Sequence, residues 1–202
     1  MTLPLVEELH PAPDPAAACA ALLGRPYLLF LDSASAARTG DPVARYSFLA
    51  ADPAVIVRHR AGRAERIDRR DQTVAPLATH ALAEVRRLLA PFRTDPAADL
   101  PPFQGGAAGY IGYDWGNVLE RLPTPRFDDL AIPDLCLGLY DCVVAWDHAA
   151  RRAWIISSGI PDTGAARESR AARRLADMRT ALHTAHNQAP VPAQRRTAPR
   201  KA

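Results

Sequence analysis

Three groups of residues have types and spacings that could carry chemistry. The first is Ser33, Arg45 and Tyr46, which bracket one small, polar loop (Ser33–Val43) between two apolar stretches. A guanidinium pairs a carboxylate and a hydroxyl accepts from an ammonium, so this trio could hold a small zwitterion such as an amino acid. An ordinary strand edge is the plainer reading. The second group is Gly105, Gly106, Gly109 and Gly112 with Tyr110, Tyr113 and Asp114, in the run FQGGAAGYIGYD (Phe103–Asp114). It is not a dinucleotide fingerprint, because Pro101 and Pro102 stand where a parallel strand should end and no βαβ pattern surrounds it. Nor does Gly-Lys-Ser/Thr follow, as a phosphate loop requires. Glycine in a strand lets a second backbone approach closely or permits positive φ. The run therefore reads as a packing device, with its tyrosines as core residues whose hydroxyls are satisfied. The third group, Asp141, Asp147 and His148, has the residue types of a metal site but none of the paired spacings. Asp147 and His148 read as a hairpin turn. There is no GxSxG elbow, and Cys142 sits in an apolar run, so the residues point to no catalytic group and no metal site.

The elements that must position these residues follow from periodicity and punctuation. Asp14 then Pro15 reads as an N-cap and first-turn proline, with a helix over Ala16–Leu23 stopped by Gly24. Pro26–Leu31 reads as a buried strand. Arg45–Ala50 and Ala54–Arg60 alternate, the latter with Val55 and Val57 on one face, and Arg63–Asp68 returns after Gly62 as a weaker, exposed strand. Pro76 is expected to open a helix whose stripe is Ala78, Leu82, Val85 and Leu89, ended by Pro91. Leu135–Asp147 and Ala153–Ser157 read as two further strands. Asp162 is expected to cap a helix reaching about His186, with Leu175, Met178 and Leu182 as its apolar stripe. Strands arrive in groups and not singly between helices, so the fold class is α+β with a largely antiparallel β-sheet and flanking helices.

Composition narrows the function classes. The chain has 202 residues and is 48% hydrophobic and 23% charged, which is globular composition at single-domain length. The formal net charge of +3 is carried by the end of the chain, where Arg195, Arg196, Arg200 and Lys201 occur without an acid. Residues 1–189 alone sum to −1. A basic tail is not a basic face, so nucleic-acid binding is not expected. No apolar run approaches the ~20 residues of a membrane span, and the acidic start is unlike a secretory leader. Cys19, Cys136 and Cys142 are odd in number and lack CxxC spacing, as free thiols in a cytoplasmic protein would be. Residues 187–202, with Pro190, Pro192 and Pro199, are expected to be a disordered tail to a domain at 1–186.

The run FQGGAAGYIGYDWGNVLERLP (Phe103–Pro123) resembles the signature of the amino-terminal domain of the chorismate-utilising synthases, anthranilate synthase component I and aminodeoxychorismate synthase component I. RYSFLAADP (Arg45–Pro53) is similar to an early strand of that family. IPDLCLGLYDCVVAWDH (Ile132–His148) resembles the aminodeoxychorismate enzymes in particular. Together the resemblance covers about Pro26 to Ser158.

The resemblance implies an anthranilate-synthase-component-I-like amino-terminal fold. It also implies that chorismate, a magnesium ion and the catalytic residues belong to a second domain absent from these 202 residues, so that this chain alone is inactive. The expected role is structural, packing on that catalytic domain or chain, in a synthase fed with ammonia by a glutamine amidotransferase subunit. The family's tryptophan pocket falls on Ser33, Val43, Ala44, Arg45 and Tyr46, with Asp32 where anthranilate synthases usually have glutamate. The first reading is the aminodeoxychorismate (folate) enzyme. The alternatives are the anthranilate (tryptophan) enzyme, or a free-standing non-enzymatic partner of a separate catalytic chain.

Overall fold

The computed structural model describes residues 4–33, 44–93, 97–118, 120, 123, 128 and 130–186, with the side chains of 184–186 excepted. In chain order the elements are β1 (Leu5–Glu8), α1 (Pro15–Ala21), β2 (Leu29–Leu31), β3 (Tyr46–Ala50), β4 (Val55–Arg60), β5 (Arg63–Asp68), β6 (Thr73–Pro76), α2 (Ala81–Leu89), β7 (Gly106–Ile111), β8 (Leu135–Tyr140), β9 (Cys142–Asp147), β10 (Arg152–Ser157) and α3 (Gly164–His186). A 3-10 turn over Tyr113–Val118 follows β7. The strands form two five-stranded sheets, β1-β10-β9-β3-β2 and β6-β5-β4-β8-β7, with every pairing antiparallel. This is the expected α+β class.

Local chemistry explains several element ends. The Asp14 carboxylate accepts from the Ala17 N–H at 2.8 Å, and Pro15 occupies the first turn, so α1 starts where the cap dictates. On α3, Leu175, Met178 and Leu182 form the buried stripe and pack with Leu22, Leu49, Val144 and Trp146 against one face of the first sheet. α2 places Ala81, Leu82, Val85 and Leu88 over Val57 and Leu135 of the second sheet. Burying such aliphatic side chains stabilises by about 1.5–3 kcal/mol each.

Four expectations are corrected. Pro76 ends β6 and does not open a helix; α2 begins at Ala81, and Ala78 is exposed. Proline in an edge strand leaves no ladder N–H missing, and β6 is such an edge. Pro26–Leu31 is not a buried strand, since only Leu29–Leu31 pair, at a sheet edge with Leu31 exposed. α3 starts two residues after Asp162, whose carboxylate takes a hydrogen bond from Arg70 at 2.9 Å. The stretch Leu135–Asp147 is two strands in different sheets: Tyr140 pairs with Gly106 and Cys142 with Ser157. Asp141 alone makes the crossing. It is fully buried and held by Arg170 Nε at 2.6 Å and Arg174 Nε at 3.2 Å, which closes α3 onto the junction.

Candidate functional site

Two regions gather the candidate residues. The first is a corner where β2 ends and β3 begins. β2 pairs with β3 and β3 with β9, which brings Ser33, Ala44, Arg45 and Tyr46 beside the β9–β10 turn. Val43 lies outside the described residues. The hub is Ser47, fully buried at the start of β3. Its hydroxyl donates to Asp32 Oδ1 at 2.9 Å, accepts the Ser33 backbone N–H at 3.0 Å and meets His148 Nε2 at 2.7 Å. The Ser33 hydroxyl donates to the Tyr46 carbonyl at 2.5 Å. Arg45 lies over the Tyr46 ring, 4.8 Å from its centroid, and donates through Nε and Nη2 to Asp147 Oδ2 at 3.0 and 2.7 Å. The other Asp147 oxygen accepts from the Ala149 and Ala150 N–H groups. Burial works to raise the Asp147 carboxyl, but the Arg45 hydrogen bond and those backbone N–H groups outweigh it and hold it below the usual carboxylate range. The sequence-expected trio is thus brought together, with its guanidinium and hydroxyl already engaged inside the chain. Beside it a cavity of about 530 Å³ is lined by Arg45, Tyr46, Asp99, Leu100, Arg152 and Trp154.

The second region is built by the glycine run. Gly109 in β7 has φ +150°, and a Cβ there would stand 2.1 Å from the Cys136 carbonyl oxygen of β8. Only glycine allows the two strands to meet this closely. Gly105 and Gly106 lead into β7, and the Gly112 N–H donates to the Asp134 carbonyl at 2.7 Å. The packing role expected of these glycines fits this geometry, but the tyrosine expectation is corrected. Tyr110 is 43% and Tyr113 87% exposed, because β7 is an edge strand and the turn after it buries only Trp115. With Asp114 they line a cavity of about 930 Å³, closed on its other sides by the β4–β5 turn and residues 77–81.

The expected readings of Cys142 and of the turn at Asp147–His148 match the structure. Cys142 is buried, and burial pushes its thiol up to about 12. Among the described residues, no three His, Cys, Asp or Glu side chains are grouped to hold a metal ion. No described helix is long and apolar enough to cross a membrane. Ser47 and His59 were not singled out from the sequence. Their signal was a polar residue on the inward face of an alternating strand: Ser47 two before Leu49 in β3, and His59 two after Val57 in β4.

No family model matches the chain. It is 38% identical over 135 residues to aminodeoxychorismate synthase component 1 of Salmonella typhimurium, covering 65% of this chain and 28% of that one. It is 40% identical over 112 residues to anthranilate synthase component 1 of Thermus thermophilus, covering 55% and 22%. To the Cereibacter sphaeroides anthranilate synthase component 1 it is 35% identical over 149 residues, covering 68% and 29%. The crystal structure of anthranilate synthase component I from Streptococcus pneumoniae matches with a TM-score of 0.54 at 22% identity, over 72% of this chain and 30% of that one, which is a likeness of fold. The chain thus spans between a fifth and a third of the length of these proteins. Over that part, the chain is similar in sequence to the component 1 proteins of aminodeoxychorismate and anthranilate synthases, and in fold to an anthranilate synthase component I.

Proposed function

We propose that this chain is the amino-terminal domain of aminodeoxychorismate synthase component I. The complete enzyme would convert chorismate and ammonia to 4-amino-4-deoxychorismate, the ammonia coming from a glutamine amidotransferase subunit. The supporting observation is the 38% identity, over 135 residues, with the Salmonella aminodeoxychorismate protein. The chorismate site, its magnesium ion and the catalytic groups would then lie in a chorismate-binding domain or chain outside these residues. This chain would contribute packing and part of a tryptophan site at Ser33, Val43, Ala44, Arg45 and Tyr46. At that site Asp32 and Ser33 would face the ligand ammonium and Arg45 its carboxylate. The 40% identity with the Thermus anthranilate protein favours a second reading, the same domain of anthranilate synthase.

Growth rescue separates the two readings. The coding sequence containing these residues is placed in a strain lacking aminodeoxychorismate synthase component 1, and in a strain lacking anthranilate synthase component 1. Growth of the first without p-aminobenzoate supports the first reading. Rescue of the tryptophan auxotroph alone assigns the second. Rescue of neither, with the partner subunits supplied, supports a non-enzymatic partner instead. For the tryptophan site, Arg45→Ala is expected to weaken L-tryptophan binding about tenfold, the scale of one charge-assisted hydrogen bond. Unchanged affinity by calorimetry removes that role.

A further inference from the structure

The glycine-tyrosine run is the most distinctive stretch of the sequence, yet the tryptophan reading gives it no role beyond packing. It frames the larger cavity, and the chemistry of that cavity is one-sided. At its wall is His59, nine-tenths buried. His59 Nδ1 lies 3.1 Å from Asp134 Oδ2, and the same oxygen accepts the Ala61 N–H at 3.0 Å. A carboxylate oxygen accepts, so Nδ1 is the donor of this pair, and in the neutral form of the ring Nε2 carries a lone pair. Nε2 has no hydrogen-bond partner among the described residues.

The charge of the groove points the same way. Among the described residues its lining carries three carboxylates, Asp114, Asp128 and Asp134, and one guanidinium, Arg60, which is paired with Asp128 at 2.9 Å. The Asp114 carboxylate has no side-chain partner among the described residues. Two acceptors among the described residues are left open, the Asp114 carboxylate and Nε2 of the neutral His59 ring, with the rings of Tyr110 and Tyr113 exposed beside them. Burial raises the Tyr110 phenol, which stays protonated. A planar guanidinium, with several donors and a flat face that stacks on aromatic rings, matches this set better than a compact ammonium. Outside the cavity the rim is apolar and exposed: Ile111, Leu130 at 75% and Ile132. A small free cation would leave that rim in water, whereas a chain segment would cover it.

We propose that this groove is a docking site for a partner polypeptide that inserts an arginine side chain flanked by apolar residues. Asp114 and His59 Nε2 accept from the guanidinium, Tyr110 and Tyr113 stack on it, and Ile111, Leu130 and Ile132 meet its apolar neighbours. Gly109 and Gly112 act as positioning residues, since they hold β7 against β8 and Asp134 so that the groove has this shape. The site is independent of the Ser33–Arg45 corner and of which synthase the chain belongs to.

The test is an NMR titration of the isotope-labelled 202-residue chain with N-acetyl-Leu-Arg-Leu-amide. The control peptide carries citrulline, which keeps the shape and removes the charge. The expected result is saturable shifts of the His59 ring and Asn117 amide signals, with the citrulline peptide about tenfold weaker. Asp114→Asn and Tyr113→Ala, both exposed positions, are expected to weaken the arginine peptide by a similar factor while the melting temperature stays the same. Equal binding of the two peptides, or no shift at His59 and Asn117, overturns the proposal. Agmatine, a free small guanidinium, is the third arm. If it binds as tightly as the peptide, the groove is a small-molecule site and the polypeptide assignment is wrong.

Discussion

The Ser33–Arg45 corner and the His59 groove are both places where polar side chains point inward from strands, but they use those side chains differently. In the corner the polar groups answer one another: Ser47 joins Asp32, Ser33 and His148, and Arg45 joins Asp147. In the groove, one end of each polar system is answered and the other is open. His59 is held by Asp134 through Nδ1, its Nε2 has no partner among the described residues, and neither has the Asp114 carboxylate beside the exposed tyrosines. A satisfied network contributes stability and resists rearrangement, whereas an open one contributes recognition. Substitutions in the corner should therefore register in folding, and those on the groove's open side in binding.

The largest expected effect comes from the frame of the groove. Gly109→Val brings a side chain into the Cys136 carbonyl and should cost at least about 4 kcal/mol in urea denaturation, or prevent folding. A stable Gly109→Val chain would break the claim that β7 and β8 must touch. Next is Asp141→Asn, at the residue where the chain leaves the groove's sheet for the corner's. Two nearly buried arginines would lose their carboxylate, at a cost of about 3 kcal/mol or more. Because both sheets depend on it, fluorescence and far-UV transitions should shift together. Separate shifts would show that the two regions fold independently.

Ser47→Ala is expected to cost about 1–3 kcal/mol, because it removes the hydroxyl that joins the Ser33 N–H, Asp32 and His148. An unchanged midpoint would mean that the corner network stabilises nothing. The pH dependence should also differ between the regions. Asp147 has a lowered folded value, so its contribution to stability is complete above the ordinary carboxylate range and is lost as pH falls through that lowered value, below about pH 4. Arg45→Ala removes a cause of the lowering, so the acid limb of a Tm-against-pH curve should move to higher pH. An unmoved limb would contradict the pairing. The smallest effect is expected at Asp114→Asn and Tyr113→Ala, within about 0.5 kcal/mol of the parent chain, since neither makes a contact that folding needs.

Much of the fold was legible where its cause is local. Asp14 and Pro15 mark the start of α1, Gly62 marks the β4–β5 turn, and Leu175, Met178 and Leu182 mark the buried face of α3. The misses have physical reasons. β1 (LVEE) and β6 (TVAP) are short edge strands without an alternating apolar face. α2 begins late because Pro76 completes a ladder that only its pairing with β5 reveals. Tyr110 and Tyr113 looked like core residues because aromatic side chains usually are; their exposure follows from the edge position of β7, which sequence order does not disclose.

What the sequence by itself determined is α1, the β4–β5 hairpin, the buried face of α3, the antiparallel α+β class, the glycines where backbones must meet, and kinship with the component 1 synthases. Caps, periods and glycine spacings act over a few residues and can be read there. Only the tertiary structure decided which polar groups are answered. Arg45 and Asp147 are 102 positions apart, His59 and Asp134 are 75 apart, and Asp141 and Arg170 are 29 apart. These partners meet because two sheets and a helix close on one another, and no local pattern carries that closure. The same closure leaves His59 Nε2 and Asp114 open, and so separates a corner that holds the chain together from a groove that can hold something else.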